Sequence, residues 1–201
     1  MTAVPLMAEP RLLDDDLVSQ ARGGDAEARN ELVRRHRAAA YRFALQLTGN
    51  REDAADVTQE AMIRFLDTLQ RFEDGRPVLP WLFRIVRNKS YDLGRRQKVR
   101  RAESLDELLE KGMPAPVQRD GDPAARLERR DLRRRVWSAL GRLPDKQREI
   151  LVLREYQDLS YGEIGSVLGV PTGTVMSRLH RARRALRDLL AEPDRREGRV
   201  R

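Results

Sequence analysis

Residues 159–190 read LSYGEIGSVLGVPTGTVMSRLHRARRALRDLL and predict two helices that meet at a tight turn. Ser160 and Glu163 have the spacing of a capping box, in which each side chain satisfies the other residue's backbone N–H at a helix start. Gly169 suits the left-handed position just past that helix. Thr172 is expected to cap the second helix by accepting hydrogen bonds from its first amides. The stretch therefore predicts a helix-turn-helix.

The second helix of this stretch has one apolar face and one polar, basic face. Its apolar residues recur at spacings of three and four and predict a buried stripe of Val175, Leu179, Ala182, Leu186 and Leu189. The candidate DNA-binding residues are Thr172, Thr174, Met176, Ser177, Arg178, His180, Arg181 and Arg184. The alternative is that this face is simply a solvated charged surface. The caps, the turn and the basic outer face together favour binding in the major groove of DNA.

Side-chain chemistry divides these candidates into two groups. The arginines at 178, 181, 183 and 184 are expected mostly to attract phosphates. Met176, Ser177 and His180 carry less generic side chains, so they are candidates for discriminating between bases.

The composition favours a helical protein with a polyanionic partner. The 201 residues carry a net charge of +8, and 36% are charged whereas only 5% are aromatic. No apolar run approaches the roughly 20 residues of a spanning helix, so we expect a soluble cytoplasmic protein without membrane insertion. The absence of Cys excludes disulfides and thiolate metal sites within the chain.

The chain is predicted to be all-α, with two small helical domains joined by a flexible acidic linker. The linker covers residues 102–128, where Pro and Gly interrupt any helical period and acids outnumber bases. The domains on either side are predicted at residues 14–101 and 129–190. Residues 1–13 are predicted to be a mobile leader, and residues 191–201 a disordered tail.

Two single residues receive specific expectations. His36 lies between arginines on a predicted helix, so we expect it at the surface rather than as a ligand. Leu132 is expected to face inward, together with Val136, Leu140 and Leu143, on a basic helix over residues 129–143.

Residues 53–72 form the most strongly amphipathic segment. The apolar side is predicted to be buried and consists of Ala54, Val57, Ala61, Phe65, Leu69 and Phe72. The other side carries Asp56, Gln59, Glu60 and Asp67. DNA would be repelled by this acidic face, so a functional role there implies a basic protein partner, and ordinary solvation is the alternative.

A basic and aromatic segment follows a predicted loop at residues 73–80. Between Arg84 and Arg101, eight basic residues accompany a single acid, Asp92. Such a segment can neutralise phosphates and offer stacking surfaces and amide hydrogen bonds to exposed bases. The candidate residues are Trp81, Arg84, Arg87, Asn88, Tyr91, Arg95 and Arg96. For Trp81, core packing and base contact are both open and are not exclusive.

The order of several motifs resembles the sigma-70 factors of bacterial RNA polymerase, specifically the small extracytoplasmic-function (ECF) group. DAADVTQE at 53–60 resembles the family's second conserved region, and WLFRIVRN at 81–88 resembles its melting and minus-ten-reading segment. Four further segments resemble the family's fourth conserved region: LP at 143–144, LRE at 153–155, LSYGEI at 159–164 and GTVMSRLHRAR at 173–183. Val78 stands where the family often carries Phe.

The resemblance implies a role for each surface. Asp56, Gln59 and Glu60 would dock on the clamp helices of the largest subunit of core RNA polymerase, and the flap of the second-largest subunit is a further implied contact. The segment after Trp81 would capture the minus-ten element of promoter DNA, with Asn88 as the leading base reader. The second helix of residues 159–190 would read the minus-thirty-five element. An anti-sigma factor is an implied partner, and no cofactor is implied.

Two other classes of protein are weighed against this one. A stand-alone helix-turn-helix regulator would not require the acidic face around Asp56, the basic-aromatic segment or the acidic linker. A nucleic-acid enzyme would require a catalytic constellation. The sequence has no Cys, its two His lie in separate predicted domains, and it shows no phosphate-cradling Gly loop or Asp-Glu metal cluster. We therefore expect neither enzymatic activity nor a metal site.

Overall fold

The computed structural model describes residues 9–103 and 123–191, with side chains at 14–97, 132 and 134–191. Every regular element in these ranges is helical, which confirms the all-α prediction. The α-helices are α1 (Glu9–Arg22), α2 (Ala26–Thr48), α3 (Arg51–Asp67), α4 (Val78–Glu103), α5 (Pro123–Arg142), α6 (Asp145–Glu155), α7 (Tyr161–Leu168) and α8 (Thr172–Ala191). A 3-10 turn, Leu69–Arg71, follows α3. None of the helices described is both long and apolar enough to cross a membrane.

The chain forms two compact units, and the first contains α1 to α4. Side-chain caps start two of its helices, because Asp25 accepts hydrogen bonds from Glu27 N at 2.8 Å and Ala28 N at 3.1 Å. Asn50 does the same for α3. Between them Gly49 ends α2 in the left-handed conformation, at φ +68°. The short connection brings α3 back against α2, and α4 packs on both helices.

The core of this unit is built on the predicted apolar stripe of α3. All six predicted residues are buried, although α3 ends at Asp67 and the last two lie in and just after the 3-10 turn. Phe43 of α2 and Phe83 of α4 meet with ring centroids 4.9 Å apart. Arg22 of α1 donates to Leu69 O at 2.9 Å and also to Phe72 O, which holds the turn before α4.

Several predicted boundaries differ from the structure. Helix α1 begins at Glu9, inside the predicted leader. Helix α4 begins at Val78 rather than at Trp81, and Pro80 fits its first turn, where a missing N–H removes no helical hydrogen bond. Helix α5 begins at Pro123, inside the predicted linker. The rest of the leader, of the linker and of the tail lies outside the described residues.

The surface prediction for His36 is wrong. This residue is only 7% exposed on α2, and its Nε2 lies 3.1 Å from Asp14 Oδ2 on α1. The cause is the packing of α1 against α2, which covers a position that helical periodicity alone leaves among charged neighbours.

The second unit contains α5, α6, α8 and most of α7, and α8 packs on α5 and α6. Pro144 starts α6, since its carbonyl accepts from Gln147 N at 2.8 Å and Arg148 N at 3.0 Å. Ile150, Leu151 and Leu153 of α6 are buried in the core of this unit.

The inward prediction for Leu132 is wrong, because this residue is 60% exposed. Burial on the described part of α5 begins further along, with half-buried Val136 and then buried Trp137 and Leu140. Trp137 packs on Tyr156 with ring centroids 4.8 Å apart. The apolar period of α5 therefore extends towards the N-terminus beyond the residues that pack in the core.

Candidate functional site

The capping box at the start of the helix-turn-helix is present. Ser160 N donates to Glu163 Oε2 at 2.8 Å, and Glu163 N donates to Ser160 Oγ at 3.3 Å. Leu159 and Ile164, which flank the cap, are both buried. These contacts set the direction in which α7 leaves the preceding loop.

The turn between α7 and α8 has the predicted left-handed glycine. Gly169 has φ +66°, and Val170 N donates to Gly165 O at 3.0 Å. The capping role predicted for Thr172 is wrong: Thr174 N and Val175 N donate to the carbonyl of Pro171, at 2.9 and 3.2 Å. Pro171 therefore occupies the cap position, and Thr172 is the exposed first residue of α8.

Helix α8 presents the two predicted faces. Val175, Leu179 and Ala182 are buried, and Leu186 and Leu189 are half-buried. The exposed candidates on the other side are Thr172, Met176, Ser177, His180, Arg181 and Arg184, whereas Thr174 and Arg178 are half-buried. Met176 is 56% exposed, which places an apolar side chain beside the polar ones. The structure thus brings the candidate reading residues together on one solvent-facing surface.

An open groove runs between the start of α7 and this surface. Its walls include Tyr161, Met176, His180, Arg184 and Arg187. Such a groove combines cationic side chains with an aromatic and a thioether surface.

Arg183 differs from the other arginines of α8. It donates to Glu155 Oε1 of α6 through Nε at 3.1 Å and Nη2 at 2.7 Å. These hydrogen bonds raise the pKa of the Arg183 guanidinium above its ordinary value. Because its charge is matched by Glu155, Arg183 links α8 to α6, a contact that spacing along one helix does not reveal.

Helix α4 gathers the basic-aromatic candidates. Arg84, Asn88, Arg95 and Arg96 are exposed, and Arg87 and Tyr91 are half-buried. Arg84, Asn88, Tyr91 and Arg95 follow one another at spacings of four, three and four, which aligns them on one face. The Arg87 guanidinium lies 5.0 Å from the centre of the Tyr91 ring, a cation–π contact.

Trp81 packs on the core at the first turns of α4. Its ring centroid lies 4.8 Å from that of Phe72 and 5.8 Å from that of Phe65. The side chain is half-buried, so part of the indole also faces solvent. Core packing is therefore established for Trp81, and base contact stays a prediction. Val78, three residues earlier, is only 2% exposed and fills the core.

The acidic side of α3 is exposed as predicted and has one apolar member that the sequence interpretation missed. Asp56, Gln59 and Glu60 are all exposed, and Ile63, one turn after Gln59, is 54% exposed. The available signal was that Ile63 lies outside the stripe formed by Val57, Ala61 and Phe65. We call the surface formed by Asp56, Gln59, Glu60 and Ile63 the acidic face.

Comparison with known protein families and curated proteins points to one family. The family described as "Sigma-70 region 2" matches residues 32–100, and the family described as "Sigma-70, region 4" matches residues 133–186. The ECF RNA polymerase sigma factor SigW of Bacillus subtilis is 32% identical over 181 residues, which are 87% of this chain and 95% of that protein. RNA polymerase sigma factor CnrH of Cupriavidus metallidurans is 37% identical over 190 residues, covering 90% and 96%. ECF RNA polymerase sigma factor SigE of Mycolicibacterium smegmatis is 41% identical over 163 residues, which are 81% of this chain and 62% of that protein.

Solved structures point to the same family. CnrH, solved in complex with the cytosolic domain of CnrY, has a TM-score of 0.64 and 32% identity, and the match covers 89% of this chain and 97% of CnrH. The sigma factor RpoE of Bartonella quintana, solved with the anti-sigma factor NepR, has a TM-score of 0.67 and 27% identity, covering 80% and 95%. The chain belongs to the sigma-70 family, and within that family it is an ECF-type RNA polymerase sigma factor.

Proposed function

We propose that this sigma factor directs promoter-specific initiation in the cytoplasm, using separate surfaces for core RNA polymerase and for each promoter element. The acidic face of α3 binds the clamp helices of the largest subunit of core RNA polymerase. The basic-aromatic face of α4 captures the minus-ten element and aids melting, and α8 reads the minus-thirty-five element as duplex DNA. The second unit also contacts the flap of the second-largest subunit. Sigma factors are initiation factors, and we assign no catalytic residue, metal or cofactor to this chain.

The observation that carries this proposal is the opposite chemistry of two packed helices. Helix α3 exposes Asp56, Gln59 and Glu60, and the neighbouring α4 exposes Arg84, Asn88 and Arg95. Phosphates are attracted to the second surface and repelled by the first. A protein with a DNA face and an acidic protein-binding face on adjacent helices fits a subunit that joins a basic partner to DNA.

Each α4 residue has a task that suits its chemistry. Under this proposal the arginines at 84, 95 and 96, which are exposed, contact phosphates. Asn88 is exposed beside Arg87, and its amide can both donate to and accept from a base edge. The solvent-facing parts of Trp81 and Tyr91 offer flat surfaces for stacking unpaired bases.

Transcription with purified components tests the proposal. The chain added to core RNA polymerase is expected to confer transcription from a subset of a promoter library, and the chain alone is expected to lack specific duplex binding. Tight, selective promoter binding in the absence of core polymerase would instead support a stand-alone regulator.

A double charge reversal tests the acidic face directly. Asp56→Arg with Glu60→Arg is expected to weaken core binding strongly, because both side chains are exposed and would then repel a basic partner. Asp16→Arg with Glu27→Arg makes the same change in net charge at two other exposed positions and serves as the control. Unchanged core affinity in a folded Asp56→Arg/Glu60→Arg variant would refute this docking assignment.

We also propose that an anti-sigma factor holds the chain inactive by covering the acidic face and α4. Support comes from the related RpoE of Bartonella quintana, which was solved with the anti-sigma factor NepR. A protein that copurifies with the chain should compete with core polymerase for it. The Asp56→Arg/Glu60→Arg variant should then lose both partners, and a copurifying protein that leaves core binding unaffected would contradict this assignment.

A further inference from the structure

An ion pair joins the acidic face of α3 to the DNA-binding helix α4. Lys89 Nζ lies 2.7 Å from Glu60 Oε2. Glu60 belongs to the proposed polymerase-binding surface, and Lys89 is adjacent in sequence to the proposed base reader Asn88. The two side chains are 53% and 34% exposed respectively. Because both remain accessible to solvent, another charged group can compete for either of them.

The packing of α4 does not depend on this ion pair. Leu82, Phe83 and Val86 are completely buried and hold the helix in the core. Farther along, Gln97 Nε2 lies 3.1 Å from both carboxylate oxygens of Asp53, which ties α4 to the start of α3 a second time. The Lys89 side chain can therefore leave Glu60 while α4 stays in place.

A basic partner at the acidic face would compete with Lys89 for Glu60. Lys89 occupies one carboxylate oxygen, Oε2, whereas a guanidinium binds a carboxylate best through both oxygens. Lys89 displaced in this way would add one unmatched positive charge to the α4 surface that faces DNA phosphates.

We propose that the Glu60–Lys89 ion pair couples polymerase docking on α3 to promoter binding on α4. Docking frees Lys89 to attract a phosphate, and a phosphate bound to Lys89 frees Glu60 for the polymerase, since coupling between two sites is reciprocal. The inference rests on the proposed function of the two surfaces. The coupling is no larger than the free energy of one exposed ion pair. That free energy corresponds to about a twofold to fivefold change in affinity for core polymerase.

A double-mutant cycle with the 201-residue chain and core RNA polymerase, without DNA, tests the first half of the coupling. Lys89→Gln is expected to tighten core binding by about twofold to fivefold, because Glu60 then has no internal competitor. In the Glu60→Gln background, the same Lys89→Gln change is expected to have no effect. Arg42→Gln, which removes one positive charge from an exposed position on α2, is the matched control and should leave core affinity unchanged.

The salt dependence of promoter binding tests the second half. With core polymerase saturating, Lys89→Gln is expected to lower the slope of log affinity against log salt by about 0.7 to 0.9, the contribution of one phosphate contact. Either of two results overturns the coupling: unchanged or weaker core binding by Lys89→Gln, or an unchanged salt slope. If Asp56→Arg/Glu60→Arg still weakens core binding, then only the coupling has failed. If none of these variants alters core binding, the docking function of the acidic face has failed as well.

Discussion

The carbonyl oxygen of Val170 lies so close to Gly165 that a Cβ added to Gly165 would be only 2.8 Å from it. Gly165 is buried in α7, and its own carbonyl accepts a hydrogen bond from Val170 N at 3.0 Å. The turn of the helix-turn-helix thus folds back onto α7 at a point where no side chain fits. This close approach fixes where α8 starts relative to α7.

Gly165→Ala is therefore expected to destabilise the second unit by about 1 to 3 kcal/mol, because the obstructing atom belongs to the backbone and cannot rotate away. Unfolding in urea, followed by Trp137 fluorescence in a Trp81→Phe background, reports this unit alone, since the chain has two tryptophans. Gly162→Ala on the same helix is the control, because a Cβ there meets nothing within 4 Å. That change should stabilise α7 by up to about 1 kcal/mol through helix propensity. Equal effects of the two substitutions would contradict the steric explanation.

Ile63→Ser is expected to weaken binding to core polymerase by about tenfold, because it removes an apolar side chain from the proposed interface. The stability of the free chain should hardly change, because Ile63 is 54% exposed. Equilibrium binding to core polymerase and thermal unfolding provide the two measurements. Ile63→Leu keeps the apolar surface and should retain most of the affinity. A loss of stability that accounts for the loss of binding would argue against a contact role for Ile63.

His180 and Arg184 are expected to contribute differently to recognition by α8. Both are exposed along the same groove. We expect His180→Ala to change the preferred minus-thirty-five sequence, because an imidazole can bond to a base edge. Arg184→Ala should weaken binding to all sequences, with a shallower salt dependence. Binding of holoenzyme to a promoter library at several salt concentrations distinguishes the two effects, and an equal loss across all sequences for both variants would refute the division.

Acid should lower the unfolding free energy of the first unit, and Glu31 should account for part of this loss. Hydrogen bonds from Arg34 and Arg35 lower the pKa of this carboxyl from 4.5 to about 2. Since the folded state holds the proton less tightly than the unfolded state, this contribution is complete above pH 4.5 and is lost as the pH falls toward 2. Glu31→Gln should accordingly make the unfolding free energy less dependent on pH in that window. An unchanged pH profile, measured by urea unfolding at each pH, would contradict the assignment.

The capping box and the left-handed turn were predictable because their partners lie close together in the sequence. Ser160 and Glu163 are three residues apart, and Gly169 directly follows the last turn of α7. The same holds for the buried stripe of α3, whose helical period aligns six residues whatever packs against them. The same helical period places the remaining side chains on the opposite side of each helix. The acidic face of α3 and the basic face of α8 could therefore also be predicted.

The sequence by itself thus determined the helical class, the helix-turn-helix and the charge of each face, since these depend on local hydrogen bonds and on the helical period. Only the tertiary structure decided which residues from distant segments meet. It buried His36 beneath α1, left Leu132 exposed on α5 and placed Lys89 against Glu60. The physical reason is that helical periodicity specifies the direction of a side chain but carries no information about the segment that packs opposite it.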